Sequence, residues 1–447
     1  MERDAQPLGG SPRTLLSVND GIFLTVGMII GALIFKAPSM VAGATSGTAQ
    51  FLLAWLFGGL ISLCGALIYA ELASRHPHTG GEYVFLTQGM GRGVAFLFAW
   101  SRMTVIQTGA IAAVAFVFGD YASEILSLGR NSSAIWAGLA VVFLTLLNLA
   151  GTLQSKLLQK VMEMFLLAGL VAFSLAAIAV GGPPKPSSGA GAGGSFGFAM
   201  IFVLLAYGGW NEAAYLAGEV RDSRRNMTRI LVWGVLAVTA LYLLVNLGYL
   251  AVLGHSGIRE SKAVAADVMR AIAGERGAVL LALIVCVSVL TTMNAAIFTG
   301  ARTSWALGRD FRMLRFLGNW REQGSTPANA LLVQGAITLA LVAAGAATPD
   351  GFNAMVAYTS PVFWTFMYLT ATSLFIIREQ AKERPVFRTP LYPHIPFIFC
   401  MACLYMLYSS IDYVRNPDYG PKFGWAVGAG LLVMAAGIPL YFASRRR

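Results

Sequence analysis

Windows of roughly 20 residues with almost no charge recur about twelve times along this chain, and each is long enough to cross a hydrocarbon core. They fall near residues 19–43, 49–74, 93–119, 133–151, 157–181, 195–219, 228–254, 277–305, 329–347, 352–377, 394–414 and 422–443. Hydrocarbon offers the backbone no water to bond, so such windows must close their N–H and C=O groups internally, as helices. A composition with 57% hydrophobic and 12% charged residues agrees, since it lies far from the soluble average. The fold class expected is an all-α integral membrane protein with about 12 transmembrane helices.

Residues 1–16 are polar and lack an apolar core followed by a small-residue cleavage site. They are expected to form a cytoplasmic tail, with no removable signal peptide. Most of the 32 Lys and Arg residues fall in alternate loops. That asymmetry places both termini on the cytoplasmic side of a plasma (cell inner) membrane. It also accounts for the net charge of +11 without nucleic acid as a partner. Arg221, Arg224, Arg225, Arg229, Arg302, Arg309, Arg312 and Arg315 sit where such loops should be, and contact with anionic membrane lipid is a secondary role open to them. Cys64, Cys286, Cys400 and Cys403 all fall within predicted spans, where a thiol serves as a small apolar packing group. Cys400 and Cys403 have only His394 nearby in sequence, so no metal, disulfide or cofactor is expected.

The segment GGPPKPSSGAGAGG, residues 181–194, has the composition of a flexible connector. It divides the chain into two halves, each opening on a glycine-interrupted span: GMIIGALIF at 27–35 and FAMIFVLLAYGGWNEAAYLAGE at 198–219. Interrupted spans in corresponding positions are the pattern of inverted-repeat secondary transporters. The expected organisation is a tail (1–16), a first five-helix repeat (17–182) and an extracytoplasmic Gly/Pro/Ser linker (183–194), followed by a second five-helix repeat (195–378) and a cytoplasmic loop with helices 11 and 12 (379–447). Residues 257–275 have helical periodicity and too much charge to cross, so one external helix is expected there, either a lid or a passive loop.

Breaking the first span near Ile30 to Leu33 would aim the free N–H groups of its outer half into the bundle, a seat for a carboxylate. Breaking the sixth near Tyr207 to Gly209 would free carbonyls suited to an ammonium. The pair describes a receptor for a zwitterion. Against this, Gly27, Gly31, Gly208 and Gly209 taken singly are as well explained by close helix packing; their paired placement in the two halves favours the breaks.

The stretches AYGGWN (206–211), GEVRDSRRN (218–226), ELASRHPHTGGEYVFL (71–86) and the segment from Arg302 to Asp310 resemble the amino acid–polyamine–organocation superfamily, in particular its L-type amino-acid transporter branch. The resemblance runs from about residue 17 to about residue 395. It implies a leucine-transporter-type fold, a five-plus-five inverted repeat with two further helices, and alternating access. Carried over by position, it implies that Ile30, Gly31 and Ala32 hold the substrate carboxylate through backbone N–H groups. Leu205, Ala206 and Gly208 would receive its amino group through carbonyls, and Trp210 and Asn211 would support or line the pocket. Residues from Ser288 to Asn294 would also face it. Some members of the family work with a single-span glycoprotein; no external cysteine suited to such a link is predicted, so no obligate protein partner is expected.

The chain departs from the family pattern in three places. Leu33 completes Gly31-Ala32-Leu33 where relatives carry a small-residue triplet, Leu205 stands where an aromatic gate is common, and Gly169 stands where many relatives have a lysine in the fifth span. The charges inside predicted spans are instead Lys36, Arg102, Glu163 and Glu212. Ionisable residues at membrane depth are functional candidates by default, and these four are the coupling or gating candidates. Lys36 and Glu212 each follow a break and could pair across the site; a lone Glu212 would instead suit a proton carrier. The blander alternative has Lys36 snorkelling to the interface and Glu212 satisfying backbone. Glu71, Glu82 and Glu219 with Arg75 and Arg221 could form an inner gate or simply stabilise helix ends in water.

An enzyme would need a nucleophile with a base or a metal cluster, and no GxSxG, HExxH or Walker-type motif is present. A channel would want a repeated filter or ring of charge. The function expected is a secondary transporter moving amino acids, as an exchanger or proton symporter. A polyamine or amine transporter and a substrate sensor on the same fold are the alternatives.

Overall fold

A computed structural model describes residues 17–76, 80–151, 156–182, 196–218, 220–321, 326–380, 386–412, 414–415 and 420–445, apart from the side chains of residues 156–163, 215, 218, 312 and 445. The expected linker 183–194, Glu219 and the side chain of Glu163 therefore lie outside the described residues.

The described chain is helical almost throughout. Ten helices are long and apolar enough to cross a membrane. They are α3 (Thr48–Arg75), the run Arg92–Ile125, α7 (Ser132–Leu149), α8 (Lys156–Gly181), α10 (Ser223–Glu260), α11 (Val264–Asp310), α12 (Ala328–Ala346), α13 (Gly351–Gln380), α14 (His394–Asp412) and α15 (Gly420–Arg445). The run Arg92–Ile125 comprises α5 (Arg92–Ser101), a π-helical turn (Arg102–Ile106) and α6 (Gln107–Ile125). A short helix α4 (Gly81–Met90) precedes it. Two apolar windows are cut short: α1 (Val18–Ile29) with α2 (Ala37–Ala44) in place of the first span, and α9 (Phe196–Ala206) with a 3-10 helix (Glu212–Gly218) in place of the sixth.

Side chains sort by what surrounds them. Leu139, Phe143 and Leu146 of α7 each expose half or more of their surface, and in a multi-pass membrane protein such a stripe faces lipid at no hydrophobic cost. Inward faces rely on small residues. A methyl on Gly58 or Gly59 of α3 would fall 2.3 Å from Val203 of α9 or 2.5 Å from Thr239 of α10. The close approach of these three helices depends on that absence, as between membrane helices generally. They back the broken segments: α1 packs on α10 and on the 3-10 helix Glu212–Gly218, while α2 packs on α9 and α10. The halves on each side of one break thus meet those of the other.

The single external helix expected over 257–275 is not what forms. Gly254 and Gly274 adopt φ of 67° and 71°, a left-handed conformation that glycine enters without a Cβ penalty. They bend α10 and α11 so that two short pieces meet around residues 261–263. Val264, Ala265, Ala266 and Val268 are fully buried, and Arg270 pairs with Glu124 of α6 at 2.6 Å and with Asp267. The pattern read as helical was correct, but the interruption at Ser261 carried no glycine or proline to announce it.

Candidate binding site at the two helix breaks

The first break is prepared at both ends. Ser17 and Asp20 form a capping box that starts α1, with the Asp20 N–H donating to Ser17 Oγ at 3.2 Å. Pro38 lies in the first turn of α2, where a missing N–H costs nothing. Between them α1 ends at Ile29, Ile30 and Gly31 are extended, and a tight 3-10 turn runs over Ala32–Phe35. The N–H groups that open that turn, on Ala32 and Leu33, have no carbonyl one turn behind them. Donors therefore gather beside Gly31. Ile30 and Ala32 are buried and Leu33 is half-buried against the core. A methyl on Gly31 would lie 3.3 Å from the Thr292 side chain of α11, so the eighth span does reach this break.

The second break is a turn over residues 207–211. Gly208 N–H bonds back to the Leu205 carbonyl at 3.0 Å. Gly209 has φ of 111°, and a Cβ there would lie 2.4 Å from the Met28 carbonyl oxygen. Both the conformation and the contact require glycine. The two breaks consequently lie back to back. The Tyr242 hydroxyl of α10 sits 3.0 Å from both the Ile29 and the Ala206 carbonyl oxygens, the buried C-terminal ends of α1 and α9. Tyr207 locks the turn behind it: its hydroxyl donates to the Trp55 carbonyl at 3.0 Å, and its ring meets Tyr242 at 5.1 Å and Trp55 at 6.3 Å. Each such ring pair adds about 0.5–1.5 kcal/mol beyond burial.

The residues expected to receive an amino group are at this turn, but two are already engaged. The carbonyl of Leu205 accepts from Gly208 and that of Ala206 from Tyr242. Each keeps a second lone pair for a further donor. Trp210 is buried with its indole against Tyr69 at 5.0 Å and Phe399 at 6.0 Å, so it braces the turn from behind. Asn211 is buried too: its amide donates to Glu82 Oε1 at 3.0 Å and its oxygen accepts from Gly209 N–H at 3.3 Å. In α11, Asn294 is occupied by the Asn148 amide at 2.6 Å, while Ser288 and Thr292 lie on the partly exposed side. Gly169 is exposed with open space beside it, so this position of the fifth span does not face the breaks.

Lys36 and Glu212 do not pair with each other. Lys36 Nζ donates to Asp120 Oδ2 of α6 at 2.8 Å. Glu212 accepts from Arg102, whose Nη2 lies 2.8 Å from both carboxylate oxygens. The reason is direction along the bundle: Lys36 leads into α2 and Glu212 into the 3-10 helix beside α1, at opposite ends. Arg102 reaches Glu212 from the start of the π-helical turn, where a widened helical turn re-aims side chains. The same guanidinium lies 3.4 Å from Glu82 Oε2, and Glu82 also accepts from the Tyr69 hydroxyl at 2.9 Å. Glu71 is fully buried rather than in water, and accepts from Arg75, Arg378 and the Thr389 N–H. It ties α3 to α13 and to the segment before α14. The Arg221 carbonyl accepts from the Asn226 amide at 2.7 Å, and its expected partner Glu219 lies outside the described residues.

Tyr242, Asp120 and Arg378 are not singled out by the sequence. A lone tyrosine within an apolar span has no spacing that marks it, and the partners of Lys36 and Glu71 are far away in the chain. All four cysteines are free thiols. Among the described residues, no group of three or more His, Cys, Asp or Glu side chains could hold a metal ion.

Comparison with known proteins gives the chain its relatives. The amino acid permease family matches residues 16–436. The b(0,+)-type amino acid transporter 1 of Mus musculus is 29% identical over 439 residues, covering 94% of this chain and 86% of the relative. The serine/threonine exchanger SteT of Bacillus subtilis (strain 168) is 26% identical over 441 residues, 95% of each chain. The human cystine/glutamate transporter is 24% identical over 451 residues, 94% of this chain and 83% of the relative.

Proposed function

The chain belongs to the amino acid permease family, and on that premise we propose that it exchanges amino acids across the plasma membrane by alternating access, with the substrate zwitterion held between the two breaks. The observation that carries this is the back-to-back contact of Gly209 with the Met28–Ile29 backbone. It brings the N–H groups beside Gly31 and the carbonyl ends of α1 and α9 to one place. Ile30, Gly31, Ala32 and Leu33 would take the carboxylate and Leu205, Ala206 and Gly208 the ammonium, with Trp210 and Asn211 bracing the turn. Residues 17–182 and 195–378 would be the two inverted repeats, with both termini cytoplasmic.

Exchange is favoured over proton symport because neither charge that follows a break is alone. Glu212 is paired with Arg102 and Lys36 with Asp120, whereas a proton carrier needs a carboxylate whose charged form is poorly supported. A relative named as a serine/threonine exchanger supports the same mode. Proteoliposomes loaded with labelled serine should release it faster when serine, threonine or another amino acid is supplied outside. Accumulation driven by a pH gradient alone, without counter-substrate, would reverse the assignment.

A further inference from the structure

Within residues 27–36 and 205–212, Lys36 and Glu212 are the charged side chains, and each has been given away to a neighbour. A substrate with a charged side chain needs a counter-ion in such a site, because an unpaired charge out of water is expensive. Glu212 is the group a cationic side chain would seek. Its N–H bonds to the Gly209 carbonyl at 3.0 Å, which puts it one turn from the point where the breaks touch. Its side chain is 35% exposed, whereas that of Arg102 is only 7% exposed. The Glu212 side chain is thus the more open of the pair, and the guanidinium reaches it from the buried π-helical turn.

We propose that Arg102 is a specificity-determining residue that acts through Glu212: by filling the carboxylate, it removes the counter-ion for a lysine- or arginine-like substrate and leaves the site to neutral side chains. The second carboxylate, Glu82, does not replace it. Glu82 is buried and is supplied by the Tyr69 hydroxyl and the Asn211 amide as well as by Arg102. The inference rests on amino-acid transport as proposed above and adds the charge class of the substrate.

The test is competition against labelled serine uptake in proteoliposomes of the full chain. With the wild type, excess threonine should compete and excess lysine should not. In Arg102→Gln, which keeps a hydrogen-bond donor near both carboxylates, lysine should become a competitor, its half-inhibitory concentration relative to that of threonine falling about tenfold, or about 1.4 kcal/mol. Adding Glu212→Gln to that variant should return lysine to indifference. A merely structural role for Arg102 would lower all uptake and leave this ratio alone, and an unchanged ratio overturns the proposal. If Arg102→Gln fails to insert, the wild type still decides: lysine competing as well as threonine overturns it, and indifference to lysine supports it. A wild type that takes up no amino acid at all is a separate result, since it removes the transport on which the inference stands.

Discussion

The two breaks solve one problem in opposite ways. The first is loose in its backbone and sealed in its surroundings: Gly31 has ordinary extended dihedrals, while Lys36 is 4% exposed and held by Asp120. Further bonds close that end. Ser133 donates to Asp120 at 2.7 Å, Tyr121 to the Phe35 carbonyl at 3.0 Å, and Thr45 bonds to His255 at 3.0 Å. The second is exacting in its backbone and open beside it, with Gly209 in a left-handed conformation and Glu212 a third exposed. The difference puts the exacting backbone where the breaks touch and the buried Lys36–Asp120 pair on the α2 side.

The contrast is most easily broken at the glycines. Gly209→Ala should abolish exchange while the protein still inserts, because a left-handed alanine costs about 1–2 kcal/mol and its methyl would meet backbone, which cannot swing aside. Gly31→Ala should retain measurable exchange, since only the Thr292 side chain must yield. Equal losses in the two variants would show that the breaks are not so different.

Next in size is the charge at each break. Arg102→Met should strip partners from Glu212 and Glu82 together and lower stability by roughly 3–5 kcal/mol. Asp120→Asn should cost less, because the asparagine can still accept from Lys36 and Asp350 also acts on that ammonium. Thermal unfolding of both variants in one detergent would rank them, and a reversed order would overturn the asymmetry. Tyr242→Phe removes a donor that both breaks share, leaving two carbonyls short, and should cost about 1–3 kcal/mol. A loss near zero would mean that water or lipid already serves them.

The smallest effect lies outside both breaks. His76, just past the end of α3, has its pKa lowered from 6.5 by burial and then by Arg75. Its folded form therefore binds a proton less readily than its unfolded form, so stability is present above the unfolded value and declines as pH falls through it. His76→Gln should make thermal stability slightly less acid-sensitive. An unaltered pH profile would locate that sensitivity elsewhere.

Much of this was legible in the chain because membrane helices announce themselves by length and apolarity, and because a glycine pair inside such a window has few uses. The two interrupted spans lie where the sequence put them. What remained hidden was pairing. Lys36 and Glu212 occupy similar places after their breaks, so sequence suggested each for the other. Their true partners sit 84 and 110 positions away, and no local pattern encodes such distances. Weight also fell on Gly208 as a site residue, whereas Gly209 is the one whose conformation and contact leave no alternative; adjacent glycines look identical until the backbone is traced. For Trp210, which the resemblance implies either supports or lines the pocket, the direction of the ring is also invisible in sequence: it packs on Tyr69 of α3 and Phe399 of α14.

The Tyr242 hydroxyl owns a single hydrogen and stands equidistant from two carbonyl oxygens that terminate different helices. It can satisfy only one of them at any instant, so the crossing always carries one acceptor in deficit, and the deficit can hop from one helix end to the other with a mere rotation of the C–O bond. An arriving ammonium would cancel that deficit on either side, leaving the hydroxyl committed to the other. Occupancy would then be felt by both helices at once, through a proton that never leaves its own oxygen.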